Sequence, residues 1–177
     1  MLTPLSYFIV VTGAAECIAQ ALEDHVADGT LGRPGRVGGT PSPDIAWDGC
    51  ECGQIAVTIV RGPFPSTRFP AENADTPESS SCFLGVTATP LIASLTRCQY
   101  HPTANPATQK PPPTMIQQQE ALRLQQIEQY YMRQALLCCL PDMMVAGIID
   151  DWRVGGSAYA INGACGEVSI PFLVQVI

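Results

Sequence analysis

Apolar and polar positions alternate with a period of two in several stretches of this chain and recur with the period of a helix in two others. Ile55, Val57 and Ile59 interleave with Ala56, Thr58 and Val60 directly after Cys52-Gly53. A second Cys-Gly pair, Cys165-Gly166, opens Glu167-Val168-Ser169-Ile170 and an alternating run to the C-terminus. Both read as strands, and each is preceded by a Trp-containing segment, Trp47-Asp48-Gly49-Cys50 and Trp152-Arg153-Val154-Gly155-Gly156. Cys82 to Cys98 reads as a long strand or a strand broken at Pro90, carried by Val86, Thr87, Leu91, Ile92 and Leu95. Val145 to Trp152 predicts another strand, Ile45 to Trp47 a short edge strand, and the residues from Val154 to Gly166 a turn.

Helical spacing is found at both sides of this strand-rich middle. Thr3 and Pro4 suit a helix start, and Leu5, Phe8, Ile9, Cys17, Ile18, Ala21 and Leu22 predict an amphipathic helix to about Val26. Thr114-x-x-Gln117 matches a capping box, and Leu124, Ile127, Tyr131, Ala135 and Cys138 carry a second helix that Pro141 is expected to stop after Leu140. Helix, three strands, helix and two strands predict an α+β domain: a mostly antiparallel sheet of about four to five strands with two helices packed on one face. The other face is expected to be partly polar and available. Pro171 lacks an N–H, which argues for an edge or bulged position in the last strand.

The 177 residues fit one domain, 1–177, with three long connecting segments. The 28–43 segment gathers Gly29, Gly32, Gly35, Gly38 and Gly39 with Pro34, Pro41 and Pro43 and reads as an exposed loop. The 62–80 segment holds Pro63, Pro65, Pro70 and Pro77 with Glu72, Asp75 and Glu78, and the 99–113 segment ends in three prolines. Loops this long in a small domain predict interaction arms or linkers.

Charge narrows the function classes. The net charge is -7 with only 9 cationic residues, so the surface repels phosphate and sequence-specific nucleic-acid binding is not expected. Met1 to Asp28 holds neither Lys nor Arg, which does not fit a secretory n-region, and its apolar stretch is interrupted and short for a membrane span. The expectation is a soluble protein made in the cytoplasm.

Candidate chemistry is thin. Cys50-x-Cys52 with Cys98 and Cys165 could present four thiolates to zinc, but the spacing lacks the two close pairs of a structural site. Disulfides among the 8 cysteines stay open, beside the reading in which they are buried apolar thiols. A nucleophilic cysteine needs a histidine, and His25 and His101 lie in no recognisable motif. Asp150 and Asp151 are adjacent on an expected strand, so their side chains diverge. The glycines of the first loop precede no Lys-Ser/Thr and form no phosphate cradle. No cofactor, no metal and no enzyme activity are called for, and assembly explains the long loops and strand edges better than catalysis.

Taken in order, Trp47-Asp48-Gly49-Cys50, Phe69-Pro70, Arg97-Cys98, Cys139-Leu140, Trp152 and Gly163-x-Cys165-Gly166 resemble a family. The chain is similar to the tail terminator, or head-to-tail connector, proteins of long-tailed phages infecting actinobacteria. Pro171, Cys82 and Cys138 depart from that pattern. The resemblance implies a lambda-type α/β fold, a homohexameric ring that caps the finished tail tube, and a place at the tail–neck junction of the virion. Its partners would be the tail tube protein and a neck, stopper or connector protein, with DNA passing through an acidic lumen unbound. Another neck component, such as a head-completion (stopper) protein, or a minor tail protein is the alternative of the same class, and a secreted disulfide-bonded binding module is the alternative of another class. Arg33, Arg36, Phe64, Phe69, Glu72, Asp75 and Trp152 are the expected interface residues. Trp47, Cys50, Cys52, Cys98, Cys139, Cys165 and Gly166 are the expected structural ones.

Overall fold

Two twelve-residue strands, paired antiparallel along their whole length, form the spine of the molecule. A computed structural model describes residues 4–40, 53–66, 69–71, 87–98, 114–162 and 165–176. In chain order these form α1 (Pro4–Asp24), a 3-10 turn (Val26–Asp28), β1 (Arg36–Thr40), β2 (Gln54–Ile59), β3 (Phe64–Pro65) and β4 (Thr87–Cys98). They continue as α2 (Met115–Val145), β5 (Asp151–Val154), β6 (Ala158–Asn162) and β7 (Cys165–Val176). The sheet order is β1-β2-β4-β7-β5, with β3 also beside β4 and β6 also beside β7. Among the described strands only the β1–β2 pair is parallel.

Each spine strand carries two short strands on its outer side, and a proline stands at each break between them. β2 covers residues 91–96 of β4 and β3 covers 87–88, so Pro90 faces the gap, where its carbonyl accepts the N–H of Val60 at 3.0 Å. β5 covers 172–175 of β7 and β6 covers 165–169, and in that gap the carbonyl of Pro171 accepts the N–H of Gly155 at 2.8 Å. A residue's N–H and C=O point to the same side of a strand, so each proline turns its missing proton away from the β4–β7 ladder and towards the gap, where its pair with Val60 or Gly155 keeps one bond instead of two. Pro171 therefore sits in an interior strand rather than at an edge. β4 likewise passes unbroken through Pro90.

Alternation sorts the sheet into two faces. Ile55, Val57, Leu91, Ala93, Leu95, Val168, Ile170, Phe172 and Val174 lie on the face covered by both helices and are buried. They join Val10, Val11, Ala14, Ala15, Ile18, Ala19 and Leu22 of α1 and Met132, Ala135, Leu136, Leu140 and Met143 of α2 in one core. The opposite face is built from smaller and more polar residues, Ala56, Thr58, Ser94 and Ser169 among them.

The α+β class, with two helices against a mostly antiparallel sheet, is what the alternation predicts; the described residues form seven strands where about four to five are expected. One added strand, β1, lies within the expected 28–43 loop. Its glycines serve packing there: Gly39 lies so close to Val11 that a Cβ would collide with that side chain. Two others, β3 and β6, lie within the expected 62–80 loop and the expected turn after Val154. The region from Val145 is helix end and turn, and β5 begins only at Asp151. α2 also continues through Pro141 to Val145. Packing outweighs the lost hydrogen bond there, because Leu140 and Met143 are both buried, and Gly147 (φ 71) ends the helix. The expected edge strand at Ile45–Trp47 and the residues 82–86 lie outside the described residues.

Candidate interaction surface at the ends of the helix pair

α1 and α2 run antiparallel, and two contacts fix their register. Cys17 and Cys139 form a disulfide with Cα atoms 6.5 Å apart. One turn towards the start of α1, a Cβ on Gly13 would stand 2.7 Å from Met143 Cε, so the glycine makes room for the methionine. Residues 13 and 17 thus lie level with 143 and 139. The cysteines depart here from the buried-thiol reading: Cys17 and Cys139 are disulfide-bonded, and Cys138 is free and exposed.

Beyond the end of α1 the chain is tied to α2 by polar contacts. Gly29 (φ +103) packs on Arg123 and Ile127, and the Tyr131 hydroxyl donates to Asp28 Oδ2 at 2.6 Å. His25 Nδ1 lies 2.8 Å from the same carboxylate oxygen, and its ring stacks on Tyr131 with centroids 4.0 Å apart. The hydroxyl of Tyr131, with help from His25, holds the Asp28 carboxyl below its ordinary range. The phenol in turn is pushed up to about 12, because Asp28 accepts its proton in a hydrogen bond.

A buried ion pair completes the tie. Arg97 Nε of β4 lies 2.8 Å from Glu128 Oε1 of α2, with side chains 8% and 1% exposed. That contact is electrostatic rather than a well-angled hydrogen bond. The guanidinium instead donates through Nη2 to Gly32 O at 2.6 Å, while the Leu31 N–H reaches Glu128 at 3.4 Å. Burial pushes the Glu128 carboxyl up, and Arg97 opposes that shift. Both charges are occupied in holding the 29–32 segment to the core. The stripe expected from the sequence, Leu124, Ile127, Tyr131, Ala135 and Cys138, does not include Glu128. The signal was available, since Glu128 precedes Met132, Leu136, Leu140 and Met143 on one helical stripe. The buried stripe is offset from the expected one, and Cys138 lies outside it.

The register staggers the two helices at both ends, while Val10 and Tyr7 still tie the start of α1 to the core. At about 1.5 Å per residue, Val145 lies level with residue 11, so residues 4–10 of α1 run about 10 Å past the end of α2. Phe8 and Ile9 are 63% and 41% exposed there, and Met144 and Val145 at the end of α2 are 42% and 86% exposed. At the other end, α2 begins well beyond Asp24. Contacts with the 3-10 turn and its continuation reach back to Arg123, and residues 115–122, about 12 Å of helix, precede that point. None of these eight residues is buried, and Met115, Ile116 and Leu122 are 68%, 78% and 53% exposed. This arm is held helical by its own start. Thr114 Oγ1 accepts the Gln117 N–H at 3.3 Å, and Gln117 Oε1 accepts the Thr114 N–H at 2.9 Å.

Of the expected interface residues, Arg33, Arg36, Phe64, Phe69 and Trp152 lie among the described ones. Arg33 is paired with Glu16 at 2.7 Å and lowers that carboxyl's pKa. Arg36 begins the edge strand β1. Phe64 is buried, with the Arg61 guanidinium 4.4 Å above its ring, which leaves little of it to offer a partner. Phe69 is half-buried with Arg153 at 5.8 Å, and Trp152 packs half-buried against the core on β5. Glu72 and Asp75 lie outside the described residues, as do Trp47, Cys50 and Cys52. Cys98 and Cys165 are register partners in β4 and β7, and Gly166 is buried opposite Arg97. Asp150 is exposed, and the Asp151 carboxylate accepts its neighbour's N–H at 2.7 Å.

Among the described residues no helix is long and apolar enough to cross a membrane, and no group of three or more His, Cys, Asp or Glu gathers as a metal site. Comparison with known protein families and with curated proteins finds no match to this chain.

Proposed function

We propose that this chain is a structural subunit that works by self-assembly, forming the ring that caps a completed phage tail tube and joins it to the neck. The observation that carries this reading is the arm at residues 115–122. A helix end with no buried residue, apolar side chains turned outward and a capping box to keep it formed is pre-organised for a partner. The polar groups buried elsewhere support it too, since Arg97 and Glu128 are engaged in tying the fold together. The net charge of -7 suits a lumen through which DNA passes without adhering. Tail tube and neck proteins are the partners this function requires, and the virion is where it acts.

The test is a phage lysate lacking the protein, imaged by electron microscopy. Tails of uncontrolled length, unjoined to heads and rescued by adding the purified protein, support the reading. Normal joined particles overturn it.

The Cys17–Cys139 disulfide favours a second reading, an exported binding module stabilised for an oxidising environment. That reading predicts a monomer in solution and a culture supernatant that contains the protein free of particles.

A further inference from the structure

We propose that copies of this chain join head to tail through a lap joint between their helix layers, the 115–122 arm of one copy lying along residues 4–10 of α1 in the next. The inference deepens the assembly reading and rests on it only for closure of the chain of copies into a ring.

Three observations carry it. The first is fit. The α2 arm projects about 12 Å past its contacts at one end of the layer, and α1 projects about 10 Å past α2 at the other. When one copy follows another along the helix axis, the arm of one can lie along the exposed Phe8 and Ile9 of the next copy's α1. The arm then runs antiparallel to the neighbour's α1, as α2 already does to α1 inside one copy.

The second is surface. Met115, Ile116 and Leu122 on the arm would meet Phe8, Ile9 and Val145 at the step, all of them exposed in the isolated chain. Desolvating them is the driving force available at these two places. The two surfaces differ, so the contact is heterologous: each copy offers one arm and one step, and the assembly is a closed ring or an open filament.

The third is charge. Two copies of a chain with net charge -7 repel, and contact is least costly where charge is absent. No Asp, Glu, Lys, Arg or His occurs from residue 1 to 15 or from 111 to 119. The first charges of the arm, Glu120 and Arg123, neutralise each other at 2.6 Å. An α1 without basic residues also does not suit an anionic lipid surface. A second copy is the occupant these features fit.

The experiment uses two variants of the full chain, each spoiling one surface: M115E/I116E on the arm and F8E/V145E at the step. All four positions are exposed, and an unchanged circular dichroism spectrum and melting temperature verify the fold. Each variant alone should need about ten-fold or more protein to assemble, as read by light scattering. Mixed in equal amounts, they should form dimers, because one intact arm then meets one intact step. Variants that keep the wild-type mass, or a mixture that stays monomeric, overturn the lap joint. If both variants still form rings, the joint falls and the ring reading stands. If the mixture dimerises but the wild type builds only open filaments, the joint stands and the ring reading falls. A wild-type chain that is monomeric at every concentration overturns both.

Discussion

The middle of the helix pair and its two ends are built on opposite terms. Between residues 13 and 24 of α1 and 131 and 143 of α2, a disulfide, a glycine-to-methionine contact and a buried ion pair nearby hold the elements in one arrangement. At residues 115–122 and at Phe8 and Ile9, apolar side chains face solvent. The same two helices thus carry a heavily tied contact and exposed apolar surfaces. Stability is therefore concentrated in the middle and binding capacity at the ends, so substitutions should separate the two properties cleanly.

The largest effect is expected at Arg97. Arg97→Ala leaves Glu128 buried without its counter-charge and should destabilise the chain by about 3 to 5 kcal/mol in urea unfolding. The loss should shrink as pH falls from 7 towards 5. Burial raises the folded-state pKa of Glu128 above its unfolded value, so the folded state binds the proton more tightly and gains stability as pH falls through that window. Arg97→Ala with Glu128→Gln should recover part of the loss. An equal loss at both pH values would break the account of this pair.

Next comes the disulfide, which closes a loop of 122 residues. Cys17→Ala with Cys139→Ala should cost about 2 to 4 kcal/mol, measured against the oxidised chain. The same cost should appear on adding reductant to the wild type and be absent in the variant.

At the ends the stability effects should nearly vanish. Ile116→Glu should move the unfolding free energy by no more than about 0.5 kcal/mol while weakening self-association. Thr114→Ala should lower the helical circular dichroism signal by roughly one to two turns without shifting the melting temperature, because the capping box holds an arm with no buried residue. A fall in melting temperature of several degrees in either variant would place the arm in the folding core.

The smallest effect concerns the Asp28 cluster at the boundary between the two regions. Tyr131 should ionise near pH 12 in an ultraviolet titration, and Asp28→Asn should return it towards 10. Its folded pKa is raised, so its contribution to stability is complete below pH 10 and lost as pH rises towards 12. Five tyrosines titrate together, so the comparison with Asp28→Asn isolates the one that moves.

Local signals in the sequence foretold local structure. The Thr114/Gln117 capping box starts α2 where its spacing places it, and the alternation of residues 55–59 and 166–170 marks β2 and β7. Signals that depend on a distant partner misled. Pro141 stops an isolated helix, yet here burial of Met143 against Gly13 carries the helix past it. Pro171 excludes a central strand only if a neighbour needs its N–H, and the break between β5 and β6 removes that need. Gly38 and Gly39 suggested a loop because their composition is that of one, whereas Gly39 is small so that Val11 can sit on β1. Phe8 and Ile9 were read as core because helical spacing does not show where a partner helix ends. For the same reason the candidate surface was not visible in the sequence: it follows from the stagger of two helices more than a hundred residues apart.

The most direct measurement is the mass of the purified wild-type chain by light scattering, followed by negative-stain imaging. The account predicts closed rings whose mass is a whole-number multiple of 18.9 kDa, six-fold for the lambda-type ring, and their loss in M115E/I116E with the fold intact. A wild-type protein that remains at 18.9 kDa across the accessible concentration range would contradict it.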